Sequence, residues 1–487
     1  MRPGRSRWRL ALGVAGAGAG AVAGTGAVIL GREVRRSGPR VLVERARRSR
    51  RLAYLALRRS FAFARLHVGA PKGEEALDAF HLHTAEQVFE LLGGMKGAIM
   101  KLGQMLSIVA DGLPEAYQQA LRGLQQNAPP MAPNLVSDVV TSELGEPPEM
   151  AFFEFSAEPV AAASIGQVHR ARLFDGTEVA VKVQYPGVDV AIKADLDNAF
   201  FLYSAARAIA PGIDPEPVVS ELRERMGEEL DYRIEARNQE EFRAAYEGHP
   251  WIRIPAVHRD RSTARVLVTE WVWGHSFYDL LDRPQAERDR VAEQLWRFFC
   301  GSIAKLLLFN ADPHPGNYFF TDDGAIWFLD FGLVKRFEAK EVDNLRDRVL
   351  ALRSGDDDQV IEAIMRHGWL RRDAKVDRRR VVELARLTAL PLVDHGRFVY
   401  TREYIAKTIE SMFSTEGAYG DVVRHMTLPR DQVILSRIHV GLGGLFAQLG
   451  AGNDWASILD EYLFDAPPST PLGEESAGWP KVPVPPP

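Results

Sequence analysis

Five residues of this 487-residue chain have the types and the order needed to handle a polyphosphate: Lys182, Glu235, Asp312, Asn317 and Asp330. In Asp312-Pro-His-Pro-Gly-Asn317 a carboxylate and an amide stand five positions apart. Phosphoryl transfer needs a carboxylate near the attacking oxygen and an amide oxygen on a metal, and a loop of the form D-x-x-x-x-N supplies both. Asp330-Phe-Gly332 follows 18 residues after Asp312, where its carboxylate would bridge magnesium to phosphates. Upstream, Val179-Ala-Val-Lys182 has the form of a strand whose lysine grips the α and β phosphates. A lysine buried there needs an anionic partner when the site is empty, and Glu235, in the helical stretch Glu229–Glu235, is the choice. Any one of these patterns alone is an ordinary turn, strand or solvated helix face. The full set in the right order is specific.

The elements that must position these residues are legible in outline. Apolar residues recur at helical spacing through Phe89, Leu92, Met95, Ile99, Leu102 and Leu106, and helices are expected over 74–127. Pro129, Pro130 and Pro133 interrupt them, and a further helix spans about Pro133 to Leu144. Then the period changes. Phe152–Phe155, Gln167–Leu173, Glu178–Gln184 and Val266–Trp271 read as strands, with turns such as Asp175–Gly176 between them. Helical signals return through 190–245. From Ser276 onward the chain reads as mainly helical, with short strands near 318–320 and 326–329. The expected fold class is therefore α+β: a small β-rich lobe over 151–274 and a larger helical lobe over 275–465, the outline of a protein kinase. An Arg-rich linker and helical extension over 37–150 would precede them. The last 21 residues hold eight prolines, and 466–487 is expected to be extended and mobile.

The phosphate-cradling loop departs from the kinase form. In place of G-x-G-x-x-G stands Ala161-Ala162-Ala163-Ser164-Ile165-Gly166-Gln167-Val168. Alanine does not reach the positive φ values that glycine reaches freely, so a stiffer loop is expected, with Ser164 and Gln167 adding hydrogen-bonding side chains. This run, Lys182 and Glu270 near the end of the Val266–Trp271 strand form the candidate nucleotide-binding set.

With these motifs the chain resembles the UbiB family of atypical kinases, also called the ADCK family, over roughly residues 85–465. Lys101-Leu-Gly-Gln104 matches the family's K-x-G-Q signature, Ala161 to His169 its alanine-rich loop, and Glu229 and Asp231 its E-x-D element. Asp312 to Asn317 matches its D-P-H-P-G-N loop. The histidine usual two residues before the catalytic aspartate is replaced by Asn310, which puts the local scaffold in question. The resemblance implies ATP or ADP with Mg2+ as cofactors. It implies catalytic Asp312, Lys182 and Glu235, and metal-binding Asn317 and Asp330. It also implies a helix across the site that sets Lys101 and Gln104 against Glu229 and Asp231, restraining the site and blocking a long protein substrate. Family members support isoprenoid-quinone biosynthesis at membranes, so membrane lipids, quinone intermediates and quinone-biosynthesis enzymes are the implied partners. An unorthodox protein kinase and a catalytically silent nucleotide-binding scaffold are the alternatives.

The charge distribution bears on location. Residues 1–59 hold 15 Arg, no Lys and two acids, which leaves 45 basic and 63 acidic residues for the rest of the chain. An arginine-rich head on an acidic body suits an anionic surface and argues against nucleic acid as partner. Leu10 to Gly31 is an uncharged run of 22 residues, long enough to cross a bilayer. Gly16, Gly20 and Gly24 fall on one helix face, where small residues let two membrane helices approach, so a homodimer is a further expectation. Segment 1–36 is thus read as a membrane helix or a targeting segment, with the nucleotide domain on the cytoplasmic side and organelle targeting left open. The single cysteine, Cys300, excludes an internal disulfide, and a reducing compartment is the simpler reading.

Overall fold

The computed structural model describes residues 131–163, 165–190, 192, 224, 226–414, 417–427 and 430–481. The apolar run with Gly16, Gly20 and Gly24, the helices over 74–127 with Lys101 and Gln104, Ser164 and most of 190–225 lie outside the described residues. Among the described residues no helix is long and apolar enough to cross a membrane.

The chain is α+β. Helix α1 (Pro133–Leu144) starts on Pro133, whose fixed φ suits a first helical turn, and ends on Gly145 at φ 81°, a left-handed position that glycine adopts without strain. Its Val136, Val139 and Val140 form a buried stripe. A short turn, α2 (Pro148–Ala151), follows, and β1 (Glu154–Phe155) begins later than the alternation at Phe152 suggests. Then come β2 (Ala161–Ala163), β3 (Gly166–Arg172), β4 (Glu178–Gln184), α3 (Tyr232–Ala245), β5 (Ile252–Arg253) and β6 (Val266–Glu270). The first sheet is antiparallel in the order β1-β3-β4-β6, with β2 pairing β3. One face carries Ala171, Val179, Val181, Val183, Val266 and Val268 into a core shared with α1. The other face turns Leu267 toward Ile165, Tyr232 and Ala236, where α3 covers it. Helix α1 thus completes the small lobe rather than belonging to a separate extension, because its valine stripe needs that sheet face.

The second lobe has its own sheet. Strands β7 (His275–Ser276), β8 (Leu308–Asn310), β9 (Tyr318–Phe320), β10 (Ile326–Phe328) and β11 (Val334–Arg336) lie here with α4 (Gln285–Gly301). The order β5-β10-β9-β7 draws β5, from within 151–274, into this lobe by parallel pairing to β10. Strand β11 pairs β8. The remaining elements are α5 (Ala339–Arg353), α6 (Asp357–Arg366), α7 (Arg378–Val393), β12 (Phe398–Val399), α8 (Arg402–Phe413), α9 (Gly420–Val423), α10 (Arg430–Leu449), β13 (Gly452–Asn453), α11 (Trp455–Leu463) and α12 (Pro471–Glu475). One continuous core joins the C-terminal end of α3 to α4, α10 and α11, with Trp455 stacked on Phe446 at 5.0 Å.

The tail differs from its composition. Although proline-rich, it is packed as far as Lys481: Leu472 is buried, Trp479 lies against the core, and the Lys481 backbone N–H donates to the Ala245 carbonyl at 2.9 Å. Its few apolar side chains find a prepared surface on α3 and α4, which outweighs the mobility that proline content suggests.

His249 lies beneath that tail. Its ring meets Trp251 and Trp479 edge-on at 4.4 and 5.4 Å, and Nδ1 accepts the backbone N–H groups of Trp251 and Ile252 at 3.3 and 3.0 Å. Burial lowers its pKa to about 3. The unfolded chain therefore binds the extra proton between about pH 3 and 6.5. The stability held by neutral His249 is whole above that window and is lost as pH falls through it. At pH 4.5 the loss should be roughly 2–3 kcal/mol relative to pH 7, at about 1.4 kcal/mol per unit. Unfolding of the wild type and of His249→Asn, measured at both pH values, checks this. The variant should be less stable at pH 7 but less acid-sensitive, and equal acid sensitivity would place the proton uptake elsewhere.

Candidate active site

Strand β4 positions Lys182. Cross-strand pairing sets Val168, Lys182 and Leu267 side by side on one sheet face, and Ala180 with Thr269 one step along it. Helix α3 brings Glu235 onto that face from its first turn. Asp231 caps this helix, accepting the Arg233 backbone N–H at 3.0 Å. Lys182 Nζ donates to both Glu235 oxygens, at 2.8 and 2.9 Å, and approaches Asp330 Oδ2 at 3.3 Å. It also stands 5.1 Å over the Tyr232 ring. Burial opposes the lysine's charge, but the Asp330 and Glu235 carboxylates outweigh it and hold the ammonium well above the usual range. Burial raises Glu235 to about 7 despite Lys182, and the Asp330 charge alongside adds to that rise.

Asp312, Asn317 and Asp330 come together in the second lobe. Asp312 is buried, and the Asn317 side-chain amide donates to the Asp312 carbonyl at 3.1 Å, so the amide oxygen is the end left for a cation. Asp330 Oδ1 accepts the Gly332 backbone N–H at 2.9 Å. The Phe331 ring is fully buried 5.1 Å from Phe242 of α3, and its carbonyl accepts from Asn238 at 3.2 Å. Helix α3 is thereby fixed to both the lysine and the Asp330 turn. Asn310 answers the question its substitution raised. Its amide nitrogen donates to the Asp330 carbonyl at 2.8 Å, and its oxygen accepts the Asp312 N–H at 3.3 Å. It ties the two loops together.

The alanine loop is a β-hairpin. Ala161, Ala162 and Ala163 are extended and pair with Val168, Gln167 and Gly166, so they need no positive φ. Gly166 is the position that cannot carry a side chain: a Cβ there would lie 2.2 Å from the Val183 carbonyl oxygen and 2.9 Å from the Tyr232 hydroxyl. Three expected contacts of the loop and strand set point elsewhere. Gln167 is on the opposite sheet face from Lys182, where it accepts the Met131 N–H at 2.7 Å and meets His169 Nε2 at 2.8 Å. Ile165 is buried against Tyr232 and Leu267. Glu270 stands opposite Val179, away from Lys182, and its Oε2 accepts the Ala256 N–H at 3.2 Å. Of the E-x-D pair, Asp231 is held by the Arg233 guanidinium at 2.9 Å, which lowers its pKa, and Glu229 is buried beside the site, where its charge helps to raise Glu235.

Sequence reasoning missed Ala180, Thr269, Tyr232, Tyr318 and the scaffold role of Asn310. The signal for two of them was present: Ala180 is two residues before Lys182 on a strand, and Tyr232 three before Glu235 on a helix. The Tyr318 hydroxyl is buried, feels both Asp312 and Asp330, and like that of Tyr232 has no hydrogen-bond partner among the described residues. The oxygen donors of Asp330 and Asn317 beside a buried lysine suit a small hard cation with phosphate oxygens.

The ABC1 atypical kinase-like domain matches residues 123–364. A Mycobacterium tuberculosis protein solved in complex with erythromycin is similar at TM-score 0.58 and 32% identity, over 80% of this chain and 98% of that one. The chain belongs to the ABC1 atypical kinase-like family. Curated relatives of this ABC1 chain include the chloroplastic protein Activity of bc1 complex kinase 1 of Arabidopsis thaliana, 34% identical over 60% of this chain and 44% of the relative. The probable protein kinase UbiB of Pseudomonas aeruginosa is 33% identical over 57% and 54%. The chain thus spans about half the length of the curated relatives it matches. The resemblance to the UbiB and ADCK proteins read from the motifs agrees with this ABC1 membership.

Proposed function

We propose that the chain binds Mg-ATP or ADP between its lobes and acts as an atypical kinase or ATPase supporting the biosynthesis of isoprenoid quinones of the ubiquinone type at a membrane. The observation that carries the reading is the Lys182–Glu235 pair with Asp330 at 3.3 Å, tied through Asn310 to the Asp312 loop. Lys182 would hold the α and β phosphates, and Asp330 and Asn317 would hold Mg2+, which supplies charge neutralisation at the bridging oxygens. Asp312 would orient the attacking hydroxyl or water and take its proton as the bond to the ADP oxygen breaks. The alanine hairpin, closed by direct pairing of Ala163 with Gly166, would cover the phosphates more rigidly than a glycine loop. Lys101 and Gln104 would restrain the site, and residues 1–36 would anchor the chain to lipid, with Gly16, Gly20 and Gly24 as a homodimer face. Quinone intermediates and quinone-biosynthesis enzymes would be its partners.

Purified full-length protein tests this by Mg2+-dependent ATP hydrolysis with and without lipid vesicles, alongside transfer of labelled phosphate to protein. Hydrolysis without protein labelling, together with altered quinone profiles after gene deletion, is the expected result. Efficient protein labelling would favour an unorthodox protein kinase, and failure of both reactions a silent scaffold.

A further inference from the structure

The helical lobe contains a cavity of about 250 Å3 between α4, α5, α6, α7 and α11, and no residue of the Asp312 or Asp330 loop lines it. Phe299, Ile303, Leu352, Ile364 and Leu384 give it an apolar wall. Protein cores leave few voids larger than a water molecule, and an apolar cavity of about 150 Å3 suffices to hold benzene. Small residues build this one. Helix α7 turns Ala385, Thr388 and Ala389 toward it on successive turns, where larger aliphatic side chains would close the space. The Thr388 hydroxyl is returned to the Leu384 and Ala385 carbonyls at 3.0 and 3.1 Å, so it makes no demand on the contents. At the end of α4 the backbone loosens into a π turn over Ser302–Leu306, which sets Ile303 in the wall.

Polar groups converge at one place. Trp369 Nε1–H is buried without a hydrogen-bond partner among the described residues, and the Arg348 guanidinium lies 5.8 Å from the Trp369 ring. A buried donor of this kind calls for an acceptor. No acidic residue stands in the described lining.

We infer that this cavity is a binding site for an apolar ligand of about ten carbons bearing an oxygen acceptor, with the body among the aliphatic side chains and the oxygen at Trp369 Nε1. The carbon count scales the benzene cavity to this volume. The site is separate from the proposed nucleotide site, and its test does not depend on nucleotide turnover.

The experiment is a titration of full-length protein with 2-naphthol, read by energy transfer from tryptophan, since Trp296 and Trp369 line the cavity. Saturable binding of one equivalent is expected. Ala385→Phe, which fills the space, should weaken it by tenfold or more at unchanged nucleotide affinity, and Ala389→Leu serves the same purpose should the first variant not fold. Trp369→Phe should weaken 2-naphthol about two- to tenfold, the loss of one hydrogen bond, and leave naphthalene binding intact when read from Trp296. Displacement by geraniol in preference to decan-1-ol would assign a branched isoprenoid chain, and the reverse a linear acyl-type chain. Absence of saturable transfer in the wild type, or undiminished binding in folded Ala385→Phe and Ala389→Leu, overturns the inference.

Discussion

Asp330→Asn should lower Mg2+-dependent ATP turnover on the order of a hundredfold or more while leaving the fold intact. The variant separates charge from shape. Asparagine can keep the acceptor that receives the Gly332 N–H at 2.9 Å, so the turn that buries Phe331 is retained. What it loses is the negative charge beside Lys182 and the anionic oxygen offered to the cation. The Lys182–Glu235 pair at 2.8 Å does not depend on Asp330 and should persist. Turnover across a Mg2+ series, with the thermal midpoint measured in parallel, decides the matter. An unchanged midpoint with collapsed turnover is expected. Wild-type turnover with the ordinary Mg2+ dependence would move the metal site away from Asp330.

The elements that carry the candidate site residues are legible in the sequence, and the reason is local. The positions of Lys182 on a strand, Glu235 on a helix and Asp312 and Asn317 on one loop follow from the periodicity of their own segments. A buried cation needs an anion, but the choice of Glu235, 53 residues on, rested mostly on the family resemblance. Helix α1 and strand β4 could be bounded because proline, glycine and alternation mark their ends. Side-chain direction was harder. Gln167 and Ile165 border the alanine run, yet the register of β3 against β4 sends one through the sheet and the other under α3. No window of sequence contains that register. Asn310 looked like a loss because the resemblance expects histidine. An amide with one donor and one acceptor group can tie the Asp330 carbonyl to the Asp312 N–H, which becomes visible only when β8 and β11 are paired. The tail was misjudged for a similar reason: proline content describes the isolated segment, while Leu472, Trp479 and the Ala245 carbonyl belong to a surface assembled from distant parts.

Arg297→Ala should destabilise the second lobe by about 3–5 kcal/mol, the largest stability effect expected of one substitution here. Arg297 is among the most deeply buried side chains, on the buried C-terminal part of helix α4. Its Nε donates to Glu293 at 2.8 Å, and its other nitrogens to the two Glu461 oxygens at 2.6 and 3.0 Å and to Thr470 at 2.7 Å. Burial opposes its charge, but the Glu461 carboxylate together with Tyr462 and Glu293 keeps its pKa raised. The planar fork satisfies two carboxylates and the first turn of the tail at once, and a lysine cannot reproduce that geometry. Removing it leaves Glu293 and Glu461 buried with like charge, each still drawing on Asn453 or Ser469. The tail should loosen first, because Thr470 loses its donor and Gly473 is packed against the same guanidinium. Denaturant unfolding gives the energy, and limited proteolysis between residues 466 and 481 reports the tail. Substituting Arg297→Met, Glu293→Leu and Glu461→Leu together should recover most of the loss, since the buried charges leave with their partner. A single Arg297→Ala variant within about 1 kcal/mol of wild type, with a protected tail, would mean that water reaches the carboxylates and that the network is no more than a solvated ion pair.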